Sequence, residues 1–204
     1  MLIDITRKLT ENIYVYPGDP KFSQNKIYSL YDGDPCTVTK LSMGTHTGTH
    51  IDAPAHFIKN GRNISSYSLD DLCGKAKVFE IYKTEIDLSA LAGLEINSGD
   101  IVLFKTLNKI FDGKTPLKSP SYLSNHAAEY LANKKIKLAG IDYITVDSVA
   151  SSEFGSHLAL LSAEIPILEN IDLSNVSSGE YILYCFPLST DTEASPVRAA
   201  LEII

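Results

Sequence analysis

Residues 37–57 read TVTKLSMGTHTGTHIDAPAHF, and they hold the densest chemistry of the chain: His46, His50, Asp52 and His56. Thr37–Met43 alternates β-branched or apolar residues with polar ones, which predicts a half-buried strand running into the histidines. His46 and His50 stand four apart, a spacing that shares one face of a helix. The intervening Thr47-Gly48-Thr49 is a poor helix interior, however, so a loop or irregular turn is expected, with Gly48 supplying the curvature. Imidazole nitrogen and carboxylate oxygen together suit zinc, manganese or iron(II). A single buried histidine is usually a hydrogen-bonded core residue, and THTGTH alone could be a polar turn. Three imidazoles and a carboxylate bunched in a chain with 5 histidines point instead to a metal site. A catalytic metal keeps one position open for water, so one of the four groups need not be a ligand.

Outward from this segment, composition sets the frame. The chain has 204 residues, 44% apolar and 21% charged, which predicts a folded core in one domain spanning 1–204. Its 18 basic against 25 acidic residues leave a net charge of −7, which argues against a nucleic-acid-coating surface. Cys36, Cys73 and Cys185 are odd in number and widely spaced. They predict buried free thiols instead of a disulfide framework or a thiolate zinc site. The opening MLIDITRKLT has no apolar signal region, and no run approaches the roughly 18 apolar residues of a membrane span. A cytoplasmic protein with no membrane partner is expected.

Further strands are expected at Leu2–Ile5, Lys75–Tyr82, Ile101–Phe104, Ile136–Ile141, Tyr181–Phe186 and Val197–Ile204. One clear helix is expected at Ser121–Lys134, capped by Ser121 or Ser124, with Ala127, Ala128 and Leu131 on its buried face. Tyr14–Pro20 is a turn cluster and Pro116–Pro120 a loop. Many short strands with few helices, no regular βαβ alternation and no glycine-rich phosphate loop predict an α/β or α+β domain on a mixed sheet.

The run His46–His56 matches the pattern HxGTHxDxPxH at every fixed position and so resembles the cyclase family of metal-dependent hydrolases. That family includes bacterial kynurenine formamidases and isatin hydrolases. Asp4-Ile5-Thr6, Tyr16-Pro17-Gly18-Asp19, Gly140-Ile141-Asp142 with Val146-Asp147, His157–Leu161 with Ile167–Asn170, and Ser195–Ala199 resemble further family segments in the family's order. The resemblance implies a swivelling β/β/α-like fold, with a mixed or barrel-like β core flanked by a few helices. It implies one or two divalent metals, zinc ahead of manganese or iron. His46, His50 and Asp52 would bind the first; Asp52 and Glu169 would bridge to a second, completed by His157. His56 would be the acid–base residue, Tyr16 would line the substrate site, and the chain would form a dimer or tetramer. Without the family, His157 reads as a surface or capping residue, Glu169 as a solvated charge and His126 as helix surface.

The implied chemistry is metal-assisted hydrolysis of a small aryl formamide or amide, with His56 passing a proton from water to the leaving nitrogen. The absence of a GxSxG elbow argues against a serine triad. Tyr16 stands where kynurenine formamidases commonly carry Trp, so N-formylkynurenine competes with a cyclic amide or lactone as substrate. A cyclase and a non-catalytic metal binder are the remaining alternatives. A binder without chemistry has no need of His56 beside the complete ligand set.

Overall fold

In Ile101–Lys105 alternate side chains divide between two cores. Ile101 and Leu103 join Ile51, Leu138, Leu168 and Leu201 in one cluster, whereas Val102 and Phe104 join Ala139, Ile141 and Ile167 in another. A strand buried on both faces has this period of two, and it calls for a cover on each side. The computed structural model, which describes residues 1–204, supplies both covers. Its strands are β1 (Leu2–Asp4), β2 (Ser23–Tyr28), β3 (Val38–Ser42), β4 (His50–Asp52), β5 (Gly74–Glu80), β6 (Glu85–Ile86), β7 (Ile101–Lys105), β8 (Tyr122–Leu123), β9 (Leu138–Ile141), β10 (Ile167–Glu169), β11 (Gly179–Pro187) and β12 (Ala194–Ile203). Its helices are α1 (Leu69–Leu72), α2 (Leu88–Leu91), α3 (Asn125–Asn133) and α4 (Gly155–Ser162).

Strands β12, β11, β5, β7, β9, β10 and β4 follow one another in a ladder, and β4 pairs back onto β12 to close a barrel, with β1 added outside β12. Closure depends on the length of β12, whose Ala194–Pro196 end pairs with β4 while Val197–Ile203 runs along β11. Within the barrel, strands β5, β7, β9 and β10 are parallel and the remaining pairings antiparallel, a mixed sheet as expected. The first core fills the barrel. The second lies between its outer wall and helices α3 and α4, which contribute Ala127, Ala128, Leu131, Leu160 and Leu161.

Three expectations are corrected. The strand at residues 38–42 is exposed along its whole length and pairs only with β2, so it forms a projecting hairpin. Its alternating pattern is real, but no layer covers either face. Helix α3 begins at Asn125, with Ser124 as its cap, because Tyr122–Leu123 is taken into a parallel ladder with β6. All three cysteines are free, but Cys36 is exposed and only Cys185 is fully buried.

Candidate metal centre

Strand parity places the chemistry on the outside of the barrel wall. Ile51 and Leu168 point into the barrel core, so His50, Asp52 and Glu169 project from the opposite face. The β4–β10 register sets Glu169 opposite His50 and Ile167 opposite Asp52. Residues 46–49 form turns, as expected, but His50 and Asp52 lie in a strand. Gly48 sits at φ 71°, and a Cβ there would come within 2.6 Å of Leu9 Cδ2, so the turn requires glycine. Thr49 ties the turn down: its Oγ1 donates to the Asn170 carbonyl and accepts from the Arg7 amide. The Pro54–His56 stretch is a single 3₁₀ turn that returns His56 toward His46, with ring centroids 4.1 Å apart.

Helix α4 brings in His157, and the structure gathers His46, His50, Asp52, His56, His157 and Glu169 at one locus. His50 Nε2 is 3.5 Å from Asp52 Oδ1 and 3.3 Å from Glu169 Oε2. His157 Nε2 is 3.4 Å from Asp52 Oδ2 and 3.3 Å from Glu169 Oε1. His46 Nδ1 is 2.9 Å from Asp52 Oδ1. His50, Asp52, His157 and Glu169 are all buried. The readings of His157 and Glu169 as surface groups therefore fail, because packing against the barrel wall removes both from water. His126 is exposed on α3.

Two of the imidazoles have a defined face. The Gly48 carbonyl, 2.9 Å from His50 Nδ1, can only accept, so Nδ1 carries the proton and Nε2 offers its lone pair. Asp147 Oδ2, 2.5 Å from His157 Nδ1, acts in the same way and frees His157 Nε2. Both Nε2 atoms face the Asp52–Glu169 pair.

The donor set fits a divalent cation. Both Asp52 oxygens are buried and accept no hydrogen bond of good geometry, despite the close approach of His46 Nδ1. Two buried carboxylates demand compensating positive charge. That demand shows in the imidazoles. Against a desolvation that lowers it, the Asp52 charge pulls His46 up to about 9. Against the same penalty, the Glu169 charge and the Asp147 hydrogen bond raise His157 well above its ordinary value. His46, Asp52 and His56 form one candidate ligand group, and His50, Asp52 and Glu169 another, each with its donor atoms within 4.8 Å. Geometry therefore permits His56 to be a ligand as well as an acid–base group.

The cluster opens on a cleft of about 180 Å³ whose other walls include Tyr16, Asp19, Phe57, Ile144 and Phe154. Drug-sized sites start near ~300 Å³, so this cleft suits a small one-ring molecule. Phe57 and Phe154 stand 5.1 Å apart, and Phe57 also stacks beside His157 at 4.8 Å. Four neighbours were not assigned from the sequence: Phe57, Phe154, Asp147 and Glu193. Asp147 lay inside a recognised segment without a role, and Phe57 directly follows His56. Glu193, with Oε1 3.4 Å from His46 Nε2 and accepting from Thr45 Oγ1, has no signal in the sequence; the β4–β12 pairing puts it there.

Residues 3–148 match the family model described as "Putative cyclase". The chain is 34% identical over 204 residues to a kynurenine formamidase of Bacillus cereus, covering 99% of this chain and 97% of the relative. A solved structure described as a predicted metal-dependent hydrolase from Bacillus stearothermophilus superposes with a TM-score of 0.87 at 31% identity, covering 98% and 97% of the two chains. Isatin hydrolase A from Labrenzia aggregata shares the fold, with a TM-score of 0.86 at 21% identity over 99% and 93%.

Proposed function

The chain belongs to the cyclase family of metal-dependent hydrolases, and on that premise we propose that it hydrolyses N-formyl-L-kynurenine to L-kynurenine and formate, a step of tryptophan breakdown. One observation carries the reading: the buried imidazole–carboxylate cluster opens directly on a small cleft walled by Tyr16, Phe57 and Phe154. The full-length similarity to kynurenine formamidases supports it.

His46, His50 and Asp52 would hold one divalent cation, and Asp52, Glu169 and His157 a second, with zinc ahead of manganese or iron. Such a cation supplies Lewis acidity, acidifying water and stabilising the charge that develops on the carbonyl oxygen. The residues of the chain do the rest. Tyr16, Phe57 and Phe154 hold the aryl ring and keep bulk water from the reacting bond. Burial lowers His56 below its ordinary value, so its imidazole is neutral near pH 7 and ready to accept a proton. His56 takes that proton from the attacking water and returns it to the leaving nitrogen as the C–N bond breaks.

The test is a hydrolysis panel of N-formylkynurenine, isatin and simple lactones, run on metal-analysed protein. Formate release with kcat/KM above ~10⁴ M⁻¹s⁻¹, the low end for enzymes on their own substrates, is expected. Faster opening of isatin or a lactone would favour the second reading, a cyclic-amide or lactone hydrolase, which the shared fold of isatin hydrolase suggests.

We read residues 1–204 as one domain acting in the cytoplasm as a homo-oligomer. No helix is long and apolar enough to cross a membrane. The β2–β3 hairpin supports self-association. A lone two-stranded ribbon is marginal in water, and this one exposes Ile27, Tyr28, Val38 and Leu41. Light scattering on the purified protein would give the copy number.

A further inference from the structure

We infer that Asp147 is a positioning residue for the metal centre, holding the His157 imidazole in the one tautomer and orientation that aims Nε2 at Asp52 and Glu169. The inference rests on the metal reading of the cluster and adds a residue that reading does not use.

Asp147 is 5% exposed, and it lies in the link between β9 and α4, not on any element that carries a proposed ligand. Its side chain makes three contacts. Oδ1 accepts from the Ser156 amide at 2.8 Å, and Oδ2 accepts from the His157 amide at 3.2 Å and from His157 Nδ1 at 2.5 Å. The first two serve the open amides at the start of α4, where the residue in the cap position, Phe154, sits at φ 50° and offers no side-chain acceptor. The third is different in kind, because helix capping does not require it. A carboxylate there can only accept, so it places the proton on Nδ1 and leaves the Nε2 lone pair free. This is how an outer carboxylate orients a metal-binding imidazole and raises its basicity. The preceding residue completes the bracket: the Val146 amide donates to Glu169 Oε1 at 2.7 Å. Two consecutive residues therefore address two facing groups, His157 and Glu169, whose Nε2 and Oε1 lie 3.3 Å apart.

The test compares zinc affinity, by chelator competition, with the melting of the metal-stripped protein for the parent, Asp147→Asn, His157→Ala and Leu158→Gly. Leu158 is an exposed α4 residue, and glycine there weakens the helix without touching the imidazole. Asp147→Asn should lose 10- to 100-fold in zinc affinity. Leu158→Gly should melt earlier with unchanged zinc affinity. Parental affinity in Asp147→Asn, or an equal loss in Leu158→Gly, would overturn the proposal. If His157→Ala loses zinc while Asp147→Asn keeps it, the role of Asp147 fails and the metal reading stands; a parent that binds no zinc sinks both. A second measurement needs no variant to fold. The ¹⁵N imidazole spectrum of the zinc-loaded parent should show His157 protonated at Nδ1, and protonation at Nε2 would overturn the proposal.

Discussion

Glu169 on β10 stands directly opposite His50 on β4, with Oε2 3.3 Å from Nε2 on the outer wall of the barrel. Two strands far apart in the chain thus meet in a register that makes one donor set, with Asp52 one step along the same face. Asp52 touches both halves of the set. Asp52→Ala should therefore lower bound metal by at least one ion per chain, measured by elemental analysis of protein purified without chelator. Full occupancy in that variant would contradict shared ligation.

His56 sits in both roles geometrically, and one variant separates them. His56→Ala should lower kcat by about 10²–10⁴-fold, the usual contribution of a proton-transfer group, with metal content unchanged. Loss of metal would make His56 a ligand instead.

The Pro54–His56 turn depends on a residue without a side chain. A Cβ on Gly61 would lie 2.6 Å from the Pro54 carbonyl carbon and 2.7 Å from the Ala55 nitrogen, and backbone atoms have no rotamer by which to escape. Gly61→Ala should cost about 1–3 kcal/mol of stability through overpacking. It should also lower kcat/KM by ~10²-fold, since a misplacement near 1 Å has that effect. Thermal melts and steady-state kinetics on the same preparation check both.

Burial holds the Asp142 carboxyl up at about 6, against the hydrogen bonds from the Thr106 amide and hydroxyl. Between its ordinary value of 3.8 and about 6, the folded chain keeps a proton that the unfolded chain has released. The stability carried by that proton is complete below pH 3.8 and is lost as pH rises through about 6. Asp142→Asn should remove this slope. Relative to the parent, its urea stability should rise across that window by an amount on the order of 2–3 kcal/mol, at 1.36 kcal/mol per pH unit. A pH-independent difference between the two proteins would refute the assignment.

Tyr16 tests the aromatic wall. Tyr16→Phe should keep KM within a few-fold, whereas Tyr16→Ala should raise it roughly tenfold, near the upper ~1.5 kcal/mol of an aromatic pair. An unchanged KM in the alanine variant would remove Tyr16 from the substrate site.

Much of this was legible in the linear chain, and the limits fall at particular residues. His46, His50, Asp52 and His56 are close in sequence, so their residue types alone announced metal chemistry, and the ordered segments around them led to the family. His157 and Glu169 carried no such signal. Each stands at the edge of an apolar run, His157 before Leu158–Leu161 and Glu169 after Ile167-Leu168, indistinguishable locally from a surface group, and only the family resemblance singled them out. Glu193 was not visible at all. The strand at 38–42 misled because alternation records a two-faced ribbon without saying whether anything covers it.

Local chemistry and periodicity by themselves therefore determined the candidate metal-ligand types, the strand-rich fold class and the buried face of α3. Those properties depend on neighbours a few residues away. The tertiary structure alone decided which face of β4 carries the site, how Glu169 comes to face His50, and why Asp147 reaches His157. A strand's side chains alternate faces, and β4 acquires an inside and an outside only when β12 and β10 close the barrel around Ile51 and Leu168.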